Sequence, residues 1–182
     1  MSINILFSGG IDSAACINFY LNQSLDVKTT YIDFGQKSRD IEIKAAKAIT
    51  NYYKVPLSIV KCEGIDSKSS GLIEGRNLFL ISAALMLAKH SDFIAIGIHK
   101  GTKYPDCSEE FVKRANSVIS IYFDSSVKLL APFVSWSKNE IWDYCNLVKV
   151  PLDLTYSCEL GLKQPCGKCE SCADLKVFKY AK

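Results

Sequence analysis

The chain has 182 residues, 48% hydrophobic and 23% charged, with a formal net charge of +3. That mixture suits one ordinary globular domain with at most a small appendage, and excludes disordered or fibrous classes. The charge surplus is too small to mark a nucleic-acid or membrane-surface protein, and the longest apolar run, residues 79–88, is too short to span a bilayer.

An apolar strand is predicted at residues 3–7, and a helix at 13–21. Strand 27–33 and helix 38–53 follow, the helix carrying Ile41, Ala45, Ala48, Ile49 and Tyr52 on one face. After strand 57–60, the Gly- and Ser-bearing stretch 63–75 reads as a loop of functional length. Helix 77–89, strand 93–97, helix 109–122, strand 127–130 and helix 138–146 complete the series. Strands alternating with helices predict an α/β fold with a doubly wound, parallel, five-stranded sheet of Rossmann-like type. Residues 1–150 are expected to form this nucleotide domain and residues 151–182 a small C-terminal knuckle. In such sheets ligands lie beyond the carboxyl ends of the strands. That rule directs attention to residues 8–13, 33–37, 63–77 and 99–107.

Between the first strand and helix stands Phe7-Ser8-Gly9-Gly10-Ile11-Asp12-Ser13. A small-residue turn leading into a helix gathers backbone N–H groups and the positive helix end, which suits phosphate or pyrophosphate. Gly9 and Gly10 permit left-handed angles and close ligand approach. Asp12 or Ser13 is expected to cap the first turn, and the Ser8 and Ser13 hydroxyls to donate to phosphate oxygens. No Gly-Lys-Ser/Thr follows, so this is not a Walker loop. The plain alternative is a glycine turn with a helix cap.

Eight cysteines are present. Cys16, Cys62, Cys107 and Cys145 are scattered and read as buried thiols. Cys158 with Cys166-x-x-Cys169-x-x-Cys172 supplies four thiolates, enough to close a tetrahedral zinc site. An iron–sulfur cluster competes, since Cys-x-x-Cys-x-x-Cys also opens the ferredoxin pattern. Against it, the fourth cysteine lies upstream and no Cys-Pro follows. Disulfides rank below both.

The Ser-Gly-Gly-x-Asp-Ser turn resembles the signature of the N-type ATP pyrophosphatases (PP-loop proteins, of the adenine nucleotide alpha hydrolase-like fold). Combined with the cysteine pattern, with Asp33-Phe34-Gly35-Gln36, Gly75-Arg76-Asn77 and Tyr104-Pro105-Asp106-Cys107, the chain resembles the 7-cyano-7-deazaguanine synthase (QueC) family along nearly its whole length. The resemblance implies an ATP-dependent ligase. It would adenylate the carboxylate of 7-carboxy-7-deazaguanine, releasing pyrophosphate, then form amide and nitrile with ammonia. It also implies a homodimer, and Mg2+ is expected on the phosphates. From the residues themselves, Zn2+ is expected on the four cysteines, the mild charge predicts no nucleic-acid or membrane partner, and the short apolar start that runs into Gly9-Gly10 predicts no signal peptide and so a cytoplasmic setting. By position, Phe7, Ser8, Gly9, Gly10, Ile11, Asp12, Ser13, Asp33 and Gln36 would hold the nucleotide. Ser8, Asp12, Ser13 and Arg76 would carry the chemistry, while Arg76, Asn77, His99, Tyr104 and Asp106 would face the substrate. Asp33 and Gln36 are equally well read as a cap before Ser38, and Arg76 as one half of a loop salt bridge.

The match departs from the family in the stretch Gly97-Ile98-His99-Lys100-Gly101-Thr102-Lys103-Tyr104, which is short and has His99 where Asn is usual. Glu159 replaces an aromatic, and Leu175 stands where Arg is common. A trimmed loop widens the acceptor side. That favours a second expectation, a relative of anti-phage systems that transfers the deazaguanine to an amine of a partner protein. On that reading His99 would be a general base, and Lys100 and Lys103 would attract an acidic partner. A tRNA-modifying PP-loop enzyme lacks its sulfur-delivering cysteine pair here. An RNA-binding knuckle lacks the aromatic and basic surface.

Overall fold

The computed structural model describes residues 1–65, 73–87, 91–102, 104–124 and 126–179. The elements run β1 (Ser2–Leu6), α1 (Ile11–Leu21), β2 (Asp26–Asp33), α2 (Arg39–Tyr53), β3 (Leu57–Lys61), α3 (Arg76–Leu87), β4 (Phe93–Ile96), α4 (Glu109–Phe123), β5 (Lys128–Leu130), α5 (Lys138–Leu147) and α6 (Glu170–Lys179). A 3-10 turn at Leu152–Leu154 precedes α6. The middle of loop 63–75, the end of the helix expected to reach residue 89, and Lys103 lie outside the described residues.

All five strands pair in parallel, in the order β3-β2-β1-β4-β5. Period-two alternation sends neighbouring side chains to opposite faces, and both faces are covered. Ile3 and Ile5 of β1 pack under α1, α2 and α5 with Ala46, Ile49, Ile141 and Cys145. Leu6, Ile94 and Ile96 pack on the other face against Ile81 and Ala84 of α3 and Ala115 and Ile119 of α4. The sheet is therefore doubly wound, as expected. Ile5 is fully buried; truncating such a residue to Ala removes about 2–5 kcal/mol.

Three local expectations are corrected. α1 begins at Ile11 rather than at Ser13, because Gly10 takes the extended N-cap geometry (φ −80°, ψ 168°). Neither Asp12 nor Ser13 caps that helix: the Ser13 hydroxyl donates to the Gly10 carbonyl at 3.0 Å, and Asp12 turns to another helix. α6 was not anticipated, because its sequence shows no sustained apolar stripe. By contrast Ser137 and Glu140 form a complete capping box, which fixes the first turn of α5.

The segment beyond α5 lies against the nucleotide turn. Leu152, Leu154 and Leu175 pack on the α1-side core, and Tyr156 N donates to the Gly9 carbonyl at 3.0 Å. Gly161 (φ +66°) approaches the turn leading into α2 so closely that a Cβ would stand 2.2 Å from the Lys37 carbonyl oxygen. Gly9 (φ +78°) is likewise pressed on α2, where a Cβ would meet the Glu42 carbonyl at 2.9 Å.

Candidate active site and metal centre

In a 3-2-1-4-5 sheet the connections reverse direction between β1 and β4, so the loops after those strands splay apart and leave a crevice. A cleft of about 310 Å³ opens there. Its floor is the Ser8–Ser13 turn and the end of β4, and one wall is the start of α3 with Arg76 and Asn77. The opposite wall comes from the C-terminal segment, with Tyr156, Glu159, Glu170 and Asp174.

The turn is held by its own small polar groups. Ser8 Oγ lies 3.3 Å from Ser13 Oγ and accepts from Gly10 N at 3.3 Å. Gly97 lets β4 touch the same turn, since a Cβ there would stand 2.8 Å from the Asp12 carbonyl carbon. Phe7 and Ile11 border the cleft but are core residues, both at most 3% exposed. Gly9 supports the turn from behind.

Sequence reasoning missed Lys138. Its Nζ sits 2.6 and 2.7 Å from the two Asp12 carboxylate oxygens, with side chains 17% and 22% exposed. Lys138 is the first residue of α5, placed by the Ser137–Glu140 box, and it lines the cleft. One lysine 126 positions from the turn left no sequence signal.

Several proposed ligand residues are engaged elsewhere. Asp33 does not reach the cleft: its carboxylate accepts from Gly35 N at 3.0 Å within its own turn. Gln36 borders the cleft, yet its amide is spent on Phe34 N (3.0 Å), the Tyr31 hydroxyl (2.6 Å) and Glu42 (3.1 Å). Ser38 also donates to Glu42, at 2.7 Å. Asp106 turns to α3, where it accepts weakly from Asn77 N (3.4 Å), while Asn77 Nδ2 donates to the Asp106 carbonyl (3.2 Å). Arg76 donates to Asn77 Oδ1 at 3.4 Å, a long contact, and among the described residues no carboxylate pairs with its guanidinium. Tyr104 lines the cleft mouth; its hydroxyl bonds to Glu170, which pushes its pKa up to about 12.

His99 is 4% exposed. Its Nδ1 accepts from Gly101 N at 3.0 Å, and Nε2 stands 3.9 Å from Asp12 Oδ2. Burial lowers its pKa, outweighing Asp12. A general-base role is therefore corrected: the ring's only free lone pair is already occupied by the Gly101 amide. Cys107 is a buried thiol pushed upward by desolvation. Asp174 has a raised pKa, again through burial.

The four C-terminal thiols converge. Their Sγ atoms all lie within 4.8 Å of one another, with Cys166 and Cys172 3.9 Å apart. Backbone N–H groups of Lys168 and Cys169 point at Cys166 Sγ (3.4 and 3.3 Å) and pull its pKa down to about 6. Gly167 (φ +68°) makes that knuckle turn possible. A single metal with bonds of about 2.3 Å sets tetrahedral sulfur–sulfur edges of about 3.8 Å, which these thiols fit. Glu159 ties the knuckle to α6, accepting from the Ser171 hydroxyl at 3.1 Å.

Parallel topology, the turn at the β1–β4 crossover and the cysteine knuckle define a PP-loop α/β protein. Solved structures share that fold: a predicted tRNA methyltransferase subunit from Methanocaldococcus jannaschii (TM-score 0.56, 16% identity, covering 82% of this chain and 75% of that one). The U34-tRNA thiolase NcsA of Methanococcus maripaludis with its [4Fe-4S] cluster is similar too (TM-score 0.57, 17% identity, covering 98% and 64%). At the level of family, the sequence matches Queuosine biosynthesis protein QueC over residues 2–73 and 66–178. Proteins named 7-cyano-7-deazaguanine synthase are 31% identical in Buchnera aphidicola (93% of this chain, 86% of that protein) and 28% identical in Acetivibrio thermocellus (97% and 92%). The chain belongs to the QueC family of enzymes. No helix among the described residues is long and apolar enough to cross a membrane.

Proposed function

We propose that the chain is an ATP-dependent ligase that activates the carboxylate of 7-carboxy-7-deazaguanine by adenylation. The observation that carries this reading is one cleft, at the sheet crossover, lined by the glycine turn, Lys138 and Arg76 together. A carboxylate oxygen attacks the α-phosphorus, the bond to the β-phosphate oxygen breaks, and pyrophosphate leaves. Charge builds on that leaving group, so fixed donors facing it lower the barrier most. On this reading the Ser8 hydroxyl, the first amides of α1 and the Lys138 ammonium serve that end, while the Ser13 hydroxyl, donated to the Gly10 carbonyl, holds the turn in shape. Arg76, across the cleft, offers a two-pronged donor to the substrate carboxylate and sets it in line for attack. Ammonia then displaces AMP to give the amide. A second adenylation, on the amide oxygen, lets proton and AMP depart to leave the nitrile.

Mg2+ would be carried by the phosphates and water, with few protein ligands, and would offset the charge of the departing pyrophosphate. Zinc is the metal we assign to the knuckle. In a four-iron cube each thiolate binds a different iron, which spreads the sulfurs wider than the 3.9 Å separation of Cys166 and Cys172. Such a four-thiolate ion leaves no open position, so its service is to hold Glu159, Glu170 and Asp174 against the cleft.

Purified protein given ATP, Mg2+ and 7-carboxy-7-deazaguanine should release AMP and pyrophosphate. Release of ADP would reject the scheme. Mass analysis of the product decides the acceptor: nitrile with ammonia supports synthase chemistry, whereas deazaguanine linked to a protein amine would replace it with transfer to a partner.

A further inference from the structure

His99 has no assigned task in that scheme, although it is nearly fully buried and lines the cleft beside the nucleotide turn. Its two nitrogens are unequal. Gly101 N donates to Nδ1 at 3.0 Å, so that nitrogen holds a lone pair and the ring proton resides on Nε2. Protonating Nδ1 would set two N–H groups against each other. Gly101 cannot be exchanged freely, because a Cβ there would stand 2.8 Å from Nδ1. The loop thus fixes both the orientation and the tautomer.

Among the described residues the Nε2–H has no hydrogen-bond acceptor. Asp12 Oδ2 is 3.9 Å away, beyond a hydrogen bond, and both Asp12 oxygens already accept from Lys138. Three elements present charges to the ring: Asp12 from the turn, Lys138 from α5, and Glu170 and Asp174 from α6. The Nε2–H faces the cleft that His99 lines, where a ligand oxygen would take the place of water.

We propose that His99 is a permanently neutral hydrogen-bond donor whose Nε2–H is reserved for a phosphate oxygen of the bound nucleotide. The inference rests on the nucleotide reading above and adds a ligand contact to it. Neutrality matters chemically. An imidazolium would compete with Lys138 for Asp12 and change charge near neutral pH, whereas a neutral donor serves leaving-group oxygens equally across that range.

Long-range 1H–15N correlation spectra of the full chain test this directly. With His90 and His99 the only histidines, His99→Gln identifies the signals. The expected result is the Nε2–H tautomer without conversion to imidazolium between about pH 5.5 and 8, and an Nε2–H proton signal that moves when ATP and Mg2+ are added. His99→Leu should weaken ATP binding about 10- to 100-fold, while His99→Gln, which keeps an N–H, restores most of it. ATP affinity in wild type and His99→Gln should then follow the same pH profile. An Nδ1–H tautomer, or an imidazolium at pH 7, overturns the proposal without any ligand. ATP that binds without moving the Nε2–H signal overturns the proposal and leaves the ligase reading standing. Failure of ATP to bind at all overturns both.

Discussion

Replacing Lys138 with Met tests the Asp12–Lys138 pair, the contact that joins α5 to the nucleotide turn. The substitution keeps the aliphatic bulk, removes the ammonium and leaves the Asp12 carboxylate facing its old partner. Exposed ion pairs contribute about 0–1 kcal/mol and breaking fully buried ones costs about 3–5 kcal/mol. With both oxygens engaged at 2.6 and 2.7 Å and side chains 17% and 22% exposed, the expected loss is about 2–3 kcal/mol by interpolation. For a chain of this size that lowers Tm by roughly 5–10 °C. Asp12→Asn strands the ammonium instead, and the double variant Asp12→Asn/Lys138→Met removes both charges. Thermal unfolding of all four proteins should give a coupling of about 2 kcal/mol, the double variant being more stable than the two single losses predict. Pyrophosphate release should fall at least about 100-fold in Lys138→Met, as when one donor to a developing oxyanion is removed. Single losses that add within about 0.5 kcal/mol would refute the pairing. Wild-type pyrophosphate release would refute the placement of Lys138 at the leaving group.

Cys169→Ser should release the bound metal, read as zinc per chain by atomic absorption, and lower Tm; unchanged metal content would reject the knuckle. Gly161→Ala forces both a disfavoured φ and a collision with the Lys37 carbonyl. It should cost about 2 kcal/mol or more by thermal unfolding, and a neutral effect would deny the docking of the knuckle on the turn before α2. Ser137→Ala removes the cap of α5 and should cost about 1 kcal/mol, together with slower pyrophosphate release as Lys138 loses its fixed position. His99 gives a pH signature. Its pKa in the folded chain lies below the ordinary value near 6.5, so the unfolded chain takes up that proton first and stability falls as pH drops below about 6.5. Unfolding free energy measured from about pH 5 to 7 should show a shallower slope in His99→Gln, and an identical slope would contradict the buried neutral ring.

Much of the fold was legible because it is local. β2 and β3 each fall within one residue of their expected spans, since an apolar run between turn residues admits few other conformations. Strand–helix alternation predicts a parallel sheet with right-handed crossovers, whereas the order β3-β2-β1-β4-β5 is decided by the tertiary pairing. α6 was not legible: it is set by Cys169 at its entry, whose carbonyl accepts from Cys172 N and Ala173 N, and by packing of Leu175, not by periodicity.

The sequence by itself determined the chemistry on offer: a small-residue turn at a helix start, and four thiols spaced to surround one ion. Both are written in residues close together in the chain, where spacing fixes geometry. Only the tertiary structure decided which polar groups remain available to a ligand. Asp33 and Asp106 match a binding motif yet are used by their own turns and by α3, whereas Lys138, which matches none, is brought to Asp12 from 126 residues away. A side chain's hydrogen-bonding capacity is a property of its type, but whether that capacity is already spent depends on neighbours that only packing supplies.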